Sequence, residues 1–394
     1  MSILSFRLLA AAVSISGFFT LTARADDVVK VGMIMSQSGP FGVYGGLTRR
    51  GVEMFMDETG GKVGNTKIEV IWRDEAGSPD HAKAMAQSLI VSEGVQFLTG
   101  FNLTPNAAAV APLISQSKTP TLLVTAAASP LTRESPYFAR TSFTMWQCAY
   151  TMAKWALSKD YKDIVLAYSD YSAGTDALQA FHKAYDEAGG HIAAELAMPL
   201  STVDFAPYMQ KIRSLKPKVV YEFTPNGPPS VNFVKAFSTY GLSADGTRLL
   251  GFADEMDLPS MGEAAVGVTS VWHYSPDLTN AQNKAFIASY QRKYGKDELP
   301  NFQVVAAYDA MHAIAAVVKK YGAKFTGDQA MAVLRGWKSE SVRGPIEIDP
   351  IERDIIQNQY VRQVIKTASG EIKNHVMETI PAVADPWKTF NPPK

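Results

Sequence analysis

Val28-Val29-Lys30-Val31-Gly32-Met33-Ile34, followed by Ser36-Gln37-Ser38-Gly39-Pro40-Phe41-Gly42-Val43-Tyr44-Gly45-Gly46, is the stretch on which the fold reading turns. Its first half is a short run rich in β-branched residues. Its second half is a turn, and a helical pattern then follows over Thr48 to Glu58 with Val52, Phe55 and Met56 on one face. A buried strand that feeds through a glycine-rich turn into an amphipathic helix is the opening of a parallel α/β unit.

The same alternation continues outward. Lys67 to Trp72, Val95 to Leu98 and Thr121 to Thr125 read as strands, with helices at His81 to Ser92 and Asn106 to Gln116 between them. Beyond a join near Arg140 to Phe143 the pattern resumes. Helices are expected at Trp146–Lys159, Gly174–Ala188, Phe205–Leu215 and Ser230–Tyr240, and strands at Asp163–Tyr168, His191–Met198, Lys218–Phe223 and Thr247–Phe252. After Val268 to Trp272 come helices at Asn280–Tyr294, Gln303–Lys320 and Asp328–Trp337, then short alternating strands from Ile346 to Val376. This is an α/β chain of two βα domains of similar size. In open α/β sheets ligands gather beyond the carboxyl ends of the strands, here after Ile34, Leu98, Val124, Tyr168, Phe223 and Phe252.

Composition narrows the function. With 46% hydrophobic and 19% charged residues, the chain can build a large core. Lysine plus arginine (38) equals aspartate plus glutamate (38), so nothing draws the whole molecule to nucleic acid or an anionic membrane. Residues 1–25 have the form of a signal peptide: Arg7, an apolar run over Leu8 to Leu21, and Ala23-Arg24-Ala25 as the cleavage site. The run is shorter than the roughly 20 apolar residues an uncleaved anchor needs. Export to the periplasm is therefore expected, with no membrane insertion after cleavage. Cys148 is alone, so no intrachain disulfide forms even in an oxidising compartment.

Catalytic and metal motifs are missing. There is no H-E-x-x-H, G-x-S-x-G or C-x-x-C, and the histidines (His81, His182, His191, His273, His312, His375) lack ligand spacing. The glycines at 39–46 read G-x-x-G-x-x-G-G, a tight strand-to-helix turn without the phosphate-binding spacing or a P-loop lysine. The expectation is a binding protein, not an enzyme, with no cofactor and no metal.

Several stretches carry a resemblance. V-G-M-I-M-S-Q-S-G-P-F-G-V-Y-G-G running into T-R-R-G-V-E-M-F-M-D-E, I-E-V-I-W-R-D-E-A-G-S-P with A-K-A-M-A-Q-S-L-I, G-V-Q-F-L-T-G, Y-S-D-Y-S-A-G at 168–174 and A-A-Y-D-A-M at 306–311 occur in order. Together they resemble the leucine/isoleucine/valine-type periplasmic binding proteins, the type I substrate-binding components of ABC importers. The resemblance implies two Rossmann-like lobes joined by three crossovers, with a ligand cleft between them. Lobe one would be 26–142 plus 272–345, and lobe two 143–271 plus 346–394. It further implies a monomer that hands its ligand to an ABC permease in the inner membrane.

Ligand contacts follow the same resemblance. Tyr44 matches an aromatic contact, Thr104 a hydroxyl after the third strand, Ala127 and Ser129 a backbone-plus-hydroxyl pair, and Tyr171 the tyrosine of lobe two. Hydroxyls and N–H groups at helix starts favour a carboxylate ligand. The acidic residue that pairs with an amino acid's ammonium falls in Gly251-Phe252-Ala253-Asp254, with Ala253 at the acidic position and Asp254 one step away. The second aromatic contact of lobe two falls in Phe223-Thr224-Pro225-Asn226, at Pro225.

Without an ammonium partner the expected ligand is a small benzoate-like acid, since an unpaired cation is costly to bury. The aromatic segment Arg140–Gln147 resembles benzoate-binding members of the family. Phe101, Phe143, Trp146 and Phe223 are candidate ring partners, and Asn102 and Asn226 candidate polar ones. Burying one ring contributes roughly 4–6 kcal/mol. A branched-chain amino acid, amide or urea is the alternative if Asp254 faces the cleft. A ligand sensor for a regulatory partner is a further one, although no helix-turn-helix pattern precedes the lobes and export separates the chain from DNA.

Overall fold

Two sheets organise the chain, and the computed structural model describes residues 27–393 of it. The expected signal peptide, residues 1–25, lies outside the described residues.

The first sheet has six strands in the order Lys62–Val63, Thr66–Asp74, Asp27–Met35, Phe97–Gly100, Thr121–Leu123 and Phe138–Arg140. All pairings are parallel except that of the two-residue edge strand. Val29, Val31, Met33 and Ile34 are fully buried, as expected for a central parallel strand covered on both faces. Helices Val43–Thr59 and Phe302–Tyr321 pack together over this sheet. They approach so closely that a Cβ on Gly51 would stand 2.2 Å from the Val304 carbonyl oxygen. After Trp272 the chain thus comes back to pack over the first sheet.

The second sheet has nine strands. His191–Met198, Asp163–Ser169, Val219–Phe223, Arg248–Leu250 and Thr269–Trp272 run parallel. The long strand Ile355–Lys366 joins antiparallel to Thr269–Trp272 and carries Ile372–Val383 along its other edge. Along Asp163–Ser169 the two-residue period separates two cores: Ile164 and Leu166 enter one, Val165 and Ala167 the other. Both faces of this sheet are thus covered.

Where sequence and structure differ, the cause is local. Phe138–Arg140 is a strand that no apolar run announces, and the expected short strands after Ile346 include two of 12 residues. The polar hairpin Lys338–Ser341 and Gly344–Ile348 hydrogen-bonds into the second sheet. By sheet membership the last crossing between lobes therefore falls at residues 335–337, ahead of the expected boundary at 345. A hairpin edge of Lys-Ser-Glu-Ser has no hydrophobic alternation by which its sheet could be recognised.

Candidate functional site

A partly open cleft lies between the lobes, beyond the carboxyl ends of the parallel strands, and holds about 490 Å³ of space with its solvent mouth included. The first lobe supplies Phe41, Tyr44, Asn102, Leu103, Thr104, Thr125 and Ala127. The second supplies Met145, Tyr171, Ala173, Phe223, Thr224, Pro225, Asn226 and Phe252, and Phe143, Trp272 and Phe302 close the crossover side.

The rings form one continuous wall. Tyr171 stacks on Phe223 (centroids 6.0 Å apart), Phe223 meets Phe252 edge-on (5.2 Å), and Phe252 meets Trp272 (4.6 Å). Trp272 in turn contacts Phe143 (4.7 Å) and Phe302 (5.1 Å). Such offset and edge-to-face contacts hold each ring in place and leave a slot that favours another flat ring.

None of the lining side chains carries a charge. Polarity comes instead from helix starts: Tyr44, Thr104, Met145, Ala173 and Phe302 lie in the first turns of their helices. The helices Thr104–Ser117 and Ser172–Ala188 have no side-chain cap; the first N–H groups of the second remain available to an anion, whereas in the first Pro105 has no N–H and the Asn106 N–H goes to the Leu103 carbonyl, so only the Thr104 N–H remains. The Thr104 hydroxyl accepts the Ala128 N–H at 3.2 Å, which leaves its own proton free to donate. Thr125 donates to Gln303 at 2.8 Å, and Gln303 donates to Thr48 at 2.8 Å, so this wall is pre-organised. Burial raises the Tyr44 phenol well above its ordinary value, with Asp257 adding to the effect, so it stays protonated.

Hydrogen bonds clasp the lobes together. The Ser129 N–H donates to Asp176 at 2.8 Å, and Asn301, which caps the helix Phe302–Tyr321, donates to Asp254 at 2.9 Å. The Asn226 N–H faces the Tyr44 hydroxyl across the cavity. Burial pushes Asp176 up to about 6, against the lowering pull of the Ser129 N–H and Arg140.

Tyr44, Asn102, Thr104, Ala127, Phe143, Tyr171, Phe223 and Asn226, all expected from the sequence, come together on this wall. Four others lie behind it. Phe101 is fully buried because its left-handed backbone (φ 66°) turns it into the core. Trp146 follows Met145 on its helix, about 100° further round, and packs on Tyr150 and Phe390. Ser129 reaches the lobe boundary through its backbone. Asp254 is also at that boundary rather than on the lining: its Oδ1 takes Asn301 and the Met256 N–H, while its Oδ2 is buried without a partner.

The wall also contains Phe252, Trp272 and Phe302, which the sequence reading did not single out as contacts. Phe252 and Trp272 end expected strands, and that position beyond a strand was the available signal. Among the described residues no group of three or more histidine, cysteine, aspartate or glutamate side chains is arranged to hold a metal. No helix among them is long and apolar enough to cross a membrane.

Residues 28–370 match the family described as "Periplasmic binding protein". Over 374 residues the chain is 40% identical to the Leu/Ile/Val-binding protein homolog 6 of Brucella melitensis biotype 1, covering 93% of this chain and 96% of that relative. A solute-binding protein of an ABC transporter from Rhodopseudomonas palustris BisB5, solved with 3,4-dihydroxybenzoic acid, superposes with a TM-score of 0.88 at 39% identity, covering 92% of this chain and 99% of that one. Another from R. palustris, solved with 4-hydroxybenzoate, gives 0.87 at 39% identity, with 91% and 98% covered.

Proposed function

Because the chain belongs to the periplasmic binding protein family, we propose that it is the exported solute-binding component of an ABC importer and that its ligand is a small aromatic carboxylate. The observation that carries this reading is the cavity itself: a wall of aromatic rings with uncapped helix starts and no charged side chain. The carboxylate sits against the Thr104 hydroxyl and the Thr104 N–H at the start of its helix, where the helix dipole favours negative charge. The ring lies among Tyr44, Phe143, Tyr171, Phe223 and Trp272. Ligand touching both lobes favours the closed arrangement, and a membrane permease receives it from there. No bond is made or broken. The chain acts in the periplasm, as a monomer. The relatives solved with hydroxylated benzoic acids support the same ligand class.

An amino acid fits this wall poorly. Its ammonium would be buried with no carboxylate among the lining side chains. Calorimetry on the chain from residue 26, freed of co-purified ligand by unfolding and refolding, tests the reading. Titration with 4-hydroxybenzoate is expected to give heat at a one-to-one ratio, and leucine none. Heat with leucine alone would overturn it and make Asp254 the residue to replace.

Thr104→Val keeps the shape and removes the hydroxyl. A hydrogen bond to a charged group contributes about 1.5–3 kcal/mol, so the dissociation constant for the acid is expected to rise roughly 10- to 150-fold. Unchanged affinity would remove Thr104 from the anion site.

A further inference from the structure

Asn102 occupies an unusual position on the wall. It is 4% exposed and lines the cavity, yet both its amide oxygen and its amide nitrogen lack a hydrogen-bond partner. Flipping the amide changes nothing, since both atoms are unpaired. The backbone that presents it is fixed. Gly100 (φ 117°) and Phe101 (φ 66°) are consecutive left-handed residues, and a Cβ on Gly100 would stand 2.1 Å from the Ile34 carbonyl oxygen. A bulky side chain such as Phe101 rarely adopts that conformation. The Phe101 N–H donates to the same carbonyl at 2.7 Å, and the Asn102 N–H donates to the buried carboxyl of Glu75 at 2.8 Å. Glu75 also receives the Ser36 hydroxyl at 3.3 Å. Asn102 is thus clamped through its backbone, and its amide is left buried and unpaired at the edge of the ligand space. On the same wall the indole N–H of Trp272, 2% exposed, is likewise unpaired.

Counting donors and acceptors identifies what is missing. A carboxylate only accepts hydrogen bonds, so it can satisfy Thr104, the helix N–H groups and the Trp272 N–H. It offers nothing to the Asn102 oxygen, which needs a donor from the ligand. An unsubstituted ring presents only C–H there. Resting on the aromatic-carboxylate reading, we propose that Asn102 is a specificity-determining residue that reads a hydroxyl on the ligand's ring, so that the substrate class is hydroxylated aromatic acids. A phenolic hydroxyl donates to the Asn102 oxygen and accepts from an N–H, matching both halves of the amide. Asn102 and Thr104 leave the backbone two residues apart, at most about 7 Å. That is the scale on which one small ring can meet Thr104 with its carboxylate and Asn102 with its hydroxyl. Sites built to bond a ligand hydroxyl discriminate against the analogue lacking it, because their own polar groups are then buried unpaired.

The test compares dissociation constants for benzoate, 3-hydroxybenzoate and 4-hydroxybenzoate in the unaltered protein and in Asn102→Leu. In the unaltered protein at least one hydroxylated acid is expected to bind roughly 5- to 150-fold tighter than benzoate. In Asn102→Leu that preference is expected to collapse, so that the hydroxylated acids and benzoate bind alike. Equal affinity for all three acids in the unaltered protein overturns the proposal while leaving the aromatic-acid reading intact. A preference that survives in Asn102→Leu overturns the role of Asn102. Binding of none of the three overturns both the reading and the proposal. The ratio in the unaltered protein requires no variant, and Asn102→Ala repeats the comparison if leucine impairs folding.

Discussion

Replacing Arg343 with methionine is expected to remove about 3–5 kcal/mol of folding free energy, the range for breaking a buried ion pair from one side. Arg343 is fully buried in the turn between two strands of the second sheet. Its Nε donates to Asp309, on the long helix of the first lobe, at 2.8 Å. Its other nitrogens donate to the Ser142 carbonyl at 3.0 Å, to the Thr141 carbonyl and to Gln357. One guanidinium thereby ties the first crossover to the last and anchors both to the helix that carries Phe302 into the cavity. Methionine fills much of the volume but leaves Asp309 charged, with only Ser341 to bond it at 2.8 and 2.9 Å, and strips the Thr141 carbonyl of its donor, while the Ser142 carbonyl keeps Gln357 at 2.8 Å. Urea unfolding followed by circular dichroism measures the loss. Removing the stranded charge as well, in Arg343→Met with Asp309→Leu, should recover part of it, because a buried pair replaced whole by apolar groups is often near neutral. A single variant within about 1 kcal/mol of the unaltered protein would show that the pair does not hold the crossovers.

This crossover region also separates what the sequence made legible from what it did not. Central strands such as Asp163–Ser169 could be read because both of their faces are buried, which forces a continuous apolar run. Helix starts were placed closely where chemistry marks them. Thr144 and Gln147 form a capping box that starts the helix at Met145, one residue before the expected start, and Asn280 and Asn301 cap helices expected at 280 and 303. Three-residue strands such as Phe138–Arg140 carry no periodicity, since their pairing is imposed by neighbours distant in sequence.

The site divides along the same line. Tyr44, Thr104 and Tyr171 stand at strand-to-helix turns whose position the sequence fixes locally. Phe252, Trp272 and Phe302 meet only because three separate passages of the chain converge on one slot. No short stretch encodes that convergence. Phe101 and Trp146 illustrate the reverse: both are aromatic and near the site, but one backbone angle and one step of helical rotation carry them into the core. Closeness in sequence to the cavity sets a neighbourhood, and side-chain direction decides contact.

Stability is expected to fall as pH rises from 5 to 8, with Glu222 a principal cause. Its carboxyl is fully buried at the end of strand Val219–Phe223, where it takes the Thr224 hydroxyl and the Phe252 N–H. Burial pushes it from 4.5 up to about 7, and these hydrogen bonds recover only part of the cost of ionising it. An acid whose folded-state value is raised stays protonated in the fold while the unfolded chain releases its proton. Its contribution is therefore complete below about 4.5 and is lost as pH rises through about 7. At 1.36 kcal/mol per unit, the loss attached to Glu222 alone is on the order of 3 kcal/mol. Burial raises Glu75 and Asp257 to about 7 as well, so they act in the same direction. Acids held low by their partners, such as Asp277 beside Lys373 and Glu352 beside Arg133, lose their contributions only as pH falls through the ordinary carboxylate range, below this window. Glu222→Gln isolates the effect: its amide can donate to the Thr224 hydroxyl and accept the Phe252 N–H without carrying a charge. Urea midpoints at pH 5 and pH 8 are expected to differ less in the variant, by on the order of 3 kcal/mol in unfolding free energy. Identical pH dependence in the two proteins would mean that Glu222 ionises inside the fold without penalty.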